Sequence, residues 1–292
     1  MTTPPLIFDR RLWRQRLTRA LGAQRPCDFL VARAADDLAF RLATISRAFP
    51  RALDLGSPHP AIFGALAAPG RFVARTAPVV AALGGGAPAL VADEEALPFA
   101  PQSFDLVVSA LNLQFVNDLP GVFAQVRRIL APDGLFLAAL IGGQTLAELR
   151  LCLVQAQEEI EGGASPRVAP FVDLRDLGGL LQRAGLALPV TDSDAFTVRY
   201  ANAFELMRDL RAMGATNVLA AGARRPLRRD VALLAAALYA ENFSDPDGRI
   251  RATFEIVWAS GWAPHESQQK PLKPGTAQTP LSAVLGDKSR ES

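Results

Sequence analysis

Three places along the chain set polar side chains where chemistry can be done. Asp54-Leu55-Gly56 puts an acid and a glycine at the end of a short apolar run, and Asp93-Glu94 puts two adjacent carboxylates at the end of another. Ser109 to Phe115, reading SALNLQF, follows a third run with hydroxyl, amide and aromatic groups. Carboxylates accept hydrogen bonds from a ligand, and glycine lets backbone approach it closely. Gln114 can hydrogen-bond but is no general base at neutral pH, so this set points to holding and positioning a small molecule. The two histidines and two cysteines offer little for a metal: His59 lies between Pro58 and Pro60 with no second ligand near, and Cys27 and Cys152 lack ligand spacing.

The elements that carry these residues follow from the apolar pattern. Ala52-Leu53-Asp54-Leu55-Gly56 reads as a first strand, Arg71 to Ala74 as a second and Pro88 to Ala92 as a third. Leu106-Val107-Val108 and Leu135 to Leu140 are continuously hydrophobic, as parallel strands buried on both faces must be. Between them Asn117-Asp118 can cap a helix through Leu119, Val122, Val126, Ile129 and Leu130, which Ala131-Pro132-Asp133-Gly134 stops. Strand, crossover helix and strand is the unit of a doubly wound sheet, whose ligands sit beyond the carboxyl ends of the strands. Helices are expected over Asp28–Phe49, Gln144–Ile160, Asp173–Ala184 and much of Ala201–Asn242. Leu186–Thr191 and Arg249–Trp258 are expected strands.

The run from Asp93 to Leu140, with ADEEALPF, SFDLVVS, VNDLPG and APDGLFLAAL, resembles the class I S-adenosylmethionine-dependent methyltransferases. Within them it looks closest to the branch holding the biotin-pathway malonyl-carrier methyltransferase and the mitochondrial complex I assembly factor described as an arginine hydroxylase. The likeness extends from FDRRL at Phe8–Leu12 to GWAPHESQQKPLKPG at Gly261–Gly275, and that closing motif points to the assembly-factor side. It implies an α/β fold, a Rossmann-like, mostly parallel seven-stranded sheet with a helical insertion. It implies S-adenosyl-L-methionine as cofactor, held by Asp54, Gly56, Ser57, Asp93, Glu94, Ala110 and Asn112, with Gln114 and Phe115 as substrate-face candidates.

Two departures stand beside the resemblance. Relatives usually carry acid-x-Gly-x-Gly-x-Gly after the first strand, where this chain keeps only Gly56 and continues Ser57-Pro58-His59-Pro60. An acid at the end of the second strand normally takes both ribose hydroxyls, and a count of about 20 residues lands near Arg75. An arginine there could meet a phosphate, which raises NADP as a rival ligand, yet dinucleotide sites need the missing glycines even more. The resemblance thus implies a methyltransferase of unknown acceptor, small molecule or protein. Its rival is a methyltransferase-fold assembly factor for a respiratory complex, modifying a client arginine or binding alone.

Composition bounds the rest. At 292 residues with a formal charge of +2, the chain can bury a sizeable core and gives no argument for nucleic acid. No run approaches the roughly 20 apolar residues that span a bilayer. Two distant cysteines favour a reducing compartment such as the cytoplasm, and the resemblance implies the mitochondrial matrix if the chain is eukaryotic. RRLWRQRLTRALG is arginine-rich enough for a transit peptide but is read as a surface helix, because the resemblance begins at Phe8. Arg224-Arg225 with Arg228-Arg229 reads first as a solvated loop and second as a site for an acidic partner. The expected organisation is an N-terminal helical segment over 1–49, a methyltransferase-like domain over 50–262 with a helical insertion at about 144–184 and helices at about 201–242, and a loosely ordered tail over 263–292.

Overall fold

A computed structural model describes residues 6–23, 27–84, 88–221 and 226–269. Its centre is one seven-stranded sheet in the order β3-β2-β1-β4-β5-β7-β6. The strands are β1 Arg51–Leu55, β2 Phe72–Ala77, β3 Ala89–Val91, β4 Phe104–Ala110, β5 Leu130–Ile141, β6 Ala187–Tyr200 and β7 Ile250–Trp262. The first five pair in parallel, while β7 runs antiparallel to both β5 and β6. Strand order reverses between β1 and β4, so the ligand crevice expected of an open sheet lies at their carboxyl ends.

Helices cover both faces because successive strand residues point opposite ways. On β4, Leu106, Val108 and Ala110 join one core with α2 Phe29–Ala43, α3 Pro60–Leu66, α5 Ala147–Glu161, α7 Ala203–Ala212 and α8 Arg229–Phe243. Val107 joins the other, filled by α4 Leu119–Ile129 and α6 Leu174–Arg183. The remaining helix, α1 Arg10–Leu21, belongs to neither. Its Trp13 and Leu17 form a separate small cluster with Phe8 and Val218.

Local chemistry sets most boundaries. The Asp118 carboxylate accepts from the Gly121 N–H at 2.8 Å and starts α4, and Asp173 starts α6 through the Arg175 N–H. Gly162, at φ +71°, ends α5 in the left-handed conformation that glycine allows. α2 stops at Ala43, six residues before Phe49, where the Thr44 hydroxyl turns back to the Arg41 carbonyl. β5 starts at Leu130 rather than Leu135. Pro132-Asp133-Gly134 is absorbed as an irregularity in the ladder to β4, with Asp133 at φ +59°. β6 runs nine residues beyond Thr191 and β7 four beyond Trp258, because the two pair over twelve register positions from Ala187↔Trp262 to Tyr200↔Ile250. Residues 263–269 return to the sheet through the Gln268 amide, which donates to Asp133 and to the Ala263 carbonyl. Residues 270–292 of the expected tail, and Arg224-Arg225, lie outside the described residues.

Candidate functional site

Asp54 ends β1 fully buried, and its partner is Arg75 at the matching position of β2. The Arg75 guanidinium donates to Asp54 through Nε at 3.0 Å and to the Leu83 carbonyl through Nη1 at 2.6 Å, and it sits 5.8 Å from the centre of the Phe63 ring. Burial pushes the Asp54 carboxyl up to about 6, against the pull of Ser57 and Arg75. Arg75, near which the count from Gly56 lands, lies within β2, two residues before its end at Ala77, and is committed to the first-strand acid.

Gly56 follows at φ +73°, its N–H donating to the Thr76 hydroxyl at 3.0 Å. A Cβ at Gly56 would run into the side chains of Asn112 and Glu94, so the space over this glycine is closed by the protein's own groups. Ser57 is buried and its hydroxyl accepts from the Ala110 N–H at 3.1 Å, tying the β1 loop to the end of β4. His59 caps α3 by accepting from the Ala61 N–H at 3.2 Å.

The acids after β3 are engaged from a distance. Glu94 takes the Asn112 amide at 3.0 Å on one oxygen and the Arg10 guanidinium on the other, and Asp93 takes Arg10 and Arg14 at 2.6 Å each. Glu95 lies 3.3 Å from Arg10 as well. Burial alone would raise the Asp93 carboxyl, but the Glu95 N–H and the two arginines hold it below the usual range. The same acids keep the Arg10 guanidinium above its ordinary value in spite of burial. These two arginines were not singled out in the sequence. Their i, i+4 spacing beside Trp13 and Leu17, which places all four on neighbouring positions of one helix face, was the available signal.

Gln114 and Phe115, on a short 3-10 turn after β4, line a cavity of about 410 Å³ with Pro58, His59, Leu146 and Met213. That volume lies in the range of small-molecule pockets. Phe115 stacks on Trp13 with centroids 5.3 Å apart and meets Phe8 edge-on at 6.1 Å, so α1 forms one wall. The Gln114 side-chain oxygen is buried without a partner among the described residues. Cys27 also lines the cavity, its thiol pushed up to about 12 by burial and by Asp209. Gly56, Glu94 and Asn112 are brought together, Asp54 is paired with Arg75 and Asp93 with Arg10 and Arg14, and none of these five candidates lines the cavity. Among the described residues no group of three or more His, Cys, Asp or Glu could hold a metal ion, and no helix is long and apolar enough to cross a membrane.

As they stand, these residues do not fit S-adenosylmethionine in the usual mode. β2 and the residues after it to Gly84 hold no carboxylate for a ribose, the space over Gly56 is closed by Asn112 and Glu94, and the acids after β3 are paired with α1.

Comparison with known proteins agrees with the fold. A family model described as a methyltransferase domain matches residues 72–138. The YcgJ protein from Bacillus subtilis superposes with a TM-score of 0.55 at 14% identity, covering 79% of this chain and 99% of that one, a likeness of fold alone. The malonyl-[acyl-carrier protein] O-methyltransferase of Halorhodospira halophila is 39% identical over 59% of this chain and 56% of its own. The zebrafish arginine-hydroxylase NDUFAF5, mitochondrial, is 46% identical over 64% of this chain, and the match spans 58% of the zebrafish protein. The human protein of that name is 42% identical over 288 residues, 93% of this chain and 81% of its own. With nearly the whole chain aligned at that identity, it belongs to the methyltransferase-fold family of the mitochondrial NDUFAF5 arginine hydroxylases.

Proposed function

We propose that this protein is an assembly factor for respiratory complex I that acts on a protein client, receiving a client side chain in the cavity beside Gln114 and Phe115. The relatives named arginine hydroxylases make an arginine the side chain to test first. The observation that carries the reading is the space over Gly56, closed by Asn112 and Glu94, beside a first-strand acid already paired with Arg75 and a β2 that holds no carboxylate for a methyl donor's ribose. A cavity walled by α1 with a buried, unpartnered acceptor on Gln114 supports it, since a long side chain ending in donors would satisfy that oxygen. The protein would work in the mitochondrial matrix of a eukaryote or the cytoplasm of a bacterium.

A second reading, methyl transfer from S-adenosylmethionine, is favoured by one specific feature. Asp93, Glu94 and Asn112 are all retained at the crevice, and the Asn112 oxygen is buried without a partner among the described residues. Methyl transfer is an in-line displacement for which positioning supplies most of the catalysis, so the lack of a conspicuous acid or base does not count against it.

Calorimetric titration of the purified protein with S-adenosylmethionine and S-adenosylhomocysteine separates the two readings, with Asp93→Ala as control. Absence of saturable binding up to millimolar ligand is expected. Micromolar binding that the substitution abolishes would overturn this reading of the site in favour of methyl transfer.

A further inference from the structure

Behind the cavity wall lies a second depression of about 700 Å³ whose lining has an uncommon composition. Its floor is apolar, with Leu149, Leu153, Val168, Met207 and Leu227 among the lining residues, and five arginines border it: Arg16 and Arg19 of α1, Arg167 after α5, and Arg208 and Arg211 of α7. Among the described residues that line it there is no aspartate or glutamate. Arg208 is paired with Glu205 at 2.6 Å, while Arg19 and Arg211 make no ion pair among the described residues. Arg16 donates to the Asn217 carbonyl, and burial together with the Arg19 charge pulls its guanidinium below the ordinary value. Like charges held together over an apolar floor repel one another, and an anionic partner relieves that repulsion.

We infer that this trough is a docking site for an acidic, amphipathic segment of a protein partner, lying with its apolar side on the Leu153–Met207 floor and its carboxylates on the arginines. The distribution of charge favours a polypeptide. Arg16 and Arg19 lie three residues apart on one helix and Arg208 and Arg211 three apart on another, so cations stand a helical turn apart along two walls. A lipid head group would need them gathered at one end. The trough also adjoins the cavity across a shared wall, since Ala20, Leu146, Phe171, Leu210, Ala212 and Ala215 line both. A segment seated there lies beside the cavity that holds Gln114. The protein's own residues 270–292 suit it less, with Lys270, Lys273, Lys288 and Arg290 against Asp287 and Glu291.

The inference does not depend on whether a methyl donor binds, and its test does not use one. Three fluorescein-labelled helical peptides serve as probes in anisotropy titrations of the full chain: one with a leucine stripe flanked by glutamates, one with lysines for the glutamates, and one with serines for the leucines. Saturable binding of the first peptide alone is expected, weakened about tenfold or more by R19E/R211E and unchanged by R175E/R183E, a control pair on α6. The cation reversals lie on exposed helix positions, and circular dichroism of both variants checks that they fold. Equal binding of the serine peptide, or equal loss with the α6 control, would reduce the trough to a general basic surface and overturn the inference. So would binding of anionic phosphatidylglycerol vesicles without binding of the first peptide, which would assign the trough to a lipid.

Discussion

At the scale of single residues the pairing of Asp54 with Arg75 is decisive, because it commits the first-strand acid to an internal ion pair. Asp54 is fully buried and Arg75 nearly so, and each depends on the other. Removing one partner of a buried pair leaves an uncompensated charge and costs about 3–5 kcal/mol, whereas replacing both by apolar groups is often close to neutral. Urea unfolding should therefore show Arg75→Met to be strongly destabilising and D54L/R75M much less so than the sum of the single changes; additive losses would mean the pair is not coupled. The pH dependence has a definite sign. The folded Asp54 carboxyl, at about 6, lies above the ordinary carboxylate value, so the folded state takes up this proton more readily than the unfolded chain. Its contribution favours the fold as pH falls from about 6 toward 4 and is lost as pH rises through 6. Measured against Asp54→Asn, the wild-type protein should gain stability between about pH 7 and pH 5, and a gap that stays flat would refute the assignment.

Among the elements, α1 does work that its sequence conceals. RRLWRQRLTRALG is legible as an amphipathic helix, and it is one. Nothing local says that Arg10 and Arg14 will meet Asp93 and Glu94, which lie 79 to 84 residues further along the chain. The positions of the candidate site residues were readable from strand ends, because an apolar run that stops at an acid or glycine marks the crevice of an open sheet. What holds those residues was not readable, being tertiary. β6 shows the same limit at another place: Asp192, Ser193 and Asp194 interrupt the apolar pattern of an edge strand, and its length is set by pairing with β7 instead. Arg41 and Arg33 then cover those aspartates from α2. The dependence of α1 on its one aromatic anchor is testable. Trp13 is 3% exposed and stacked on Phe115, so Trp13→Ala should cost about 3 kcal/mol of local stability. The loss should appear as faster hydrogen exchange in α1 with little change in β4 and β5, and uniform loss across the sheet would place α1 in the main core.

For the whole molecule, the separation of apolar clusters sets the order in which parts of the fold can open. Two large clusters grip the sheet from its two faces, while α1 is held by a third, smaller cluster and by the Arg10 and Arg14 ion pairs. Regions with few buried apolar contacts open at lower free energy than the global transition. α1 walls the cavity, covers the acids after β3 and carries Arg16 and Arg19 of the basic trough, so one such opening would uncover all three features together. Native-state hydrogen exchange at rising denaturant should find the α1 amides exchanging through a sub-global opening with weak denaturant dependence. The amides of β1, β4, β5 and β7 should exchange only through global unfolding. Convergence of α1 with the strands on a single isotherm would show instead that the helix is an integral layer of the fold. In that case any client must enter the cavity without moving it.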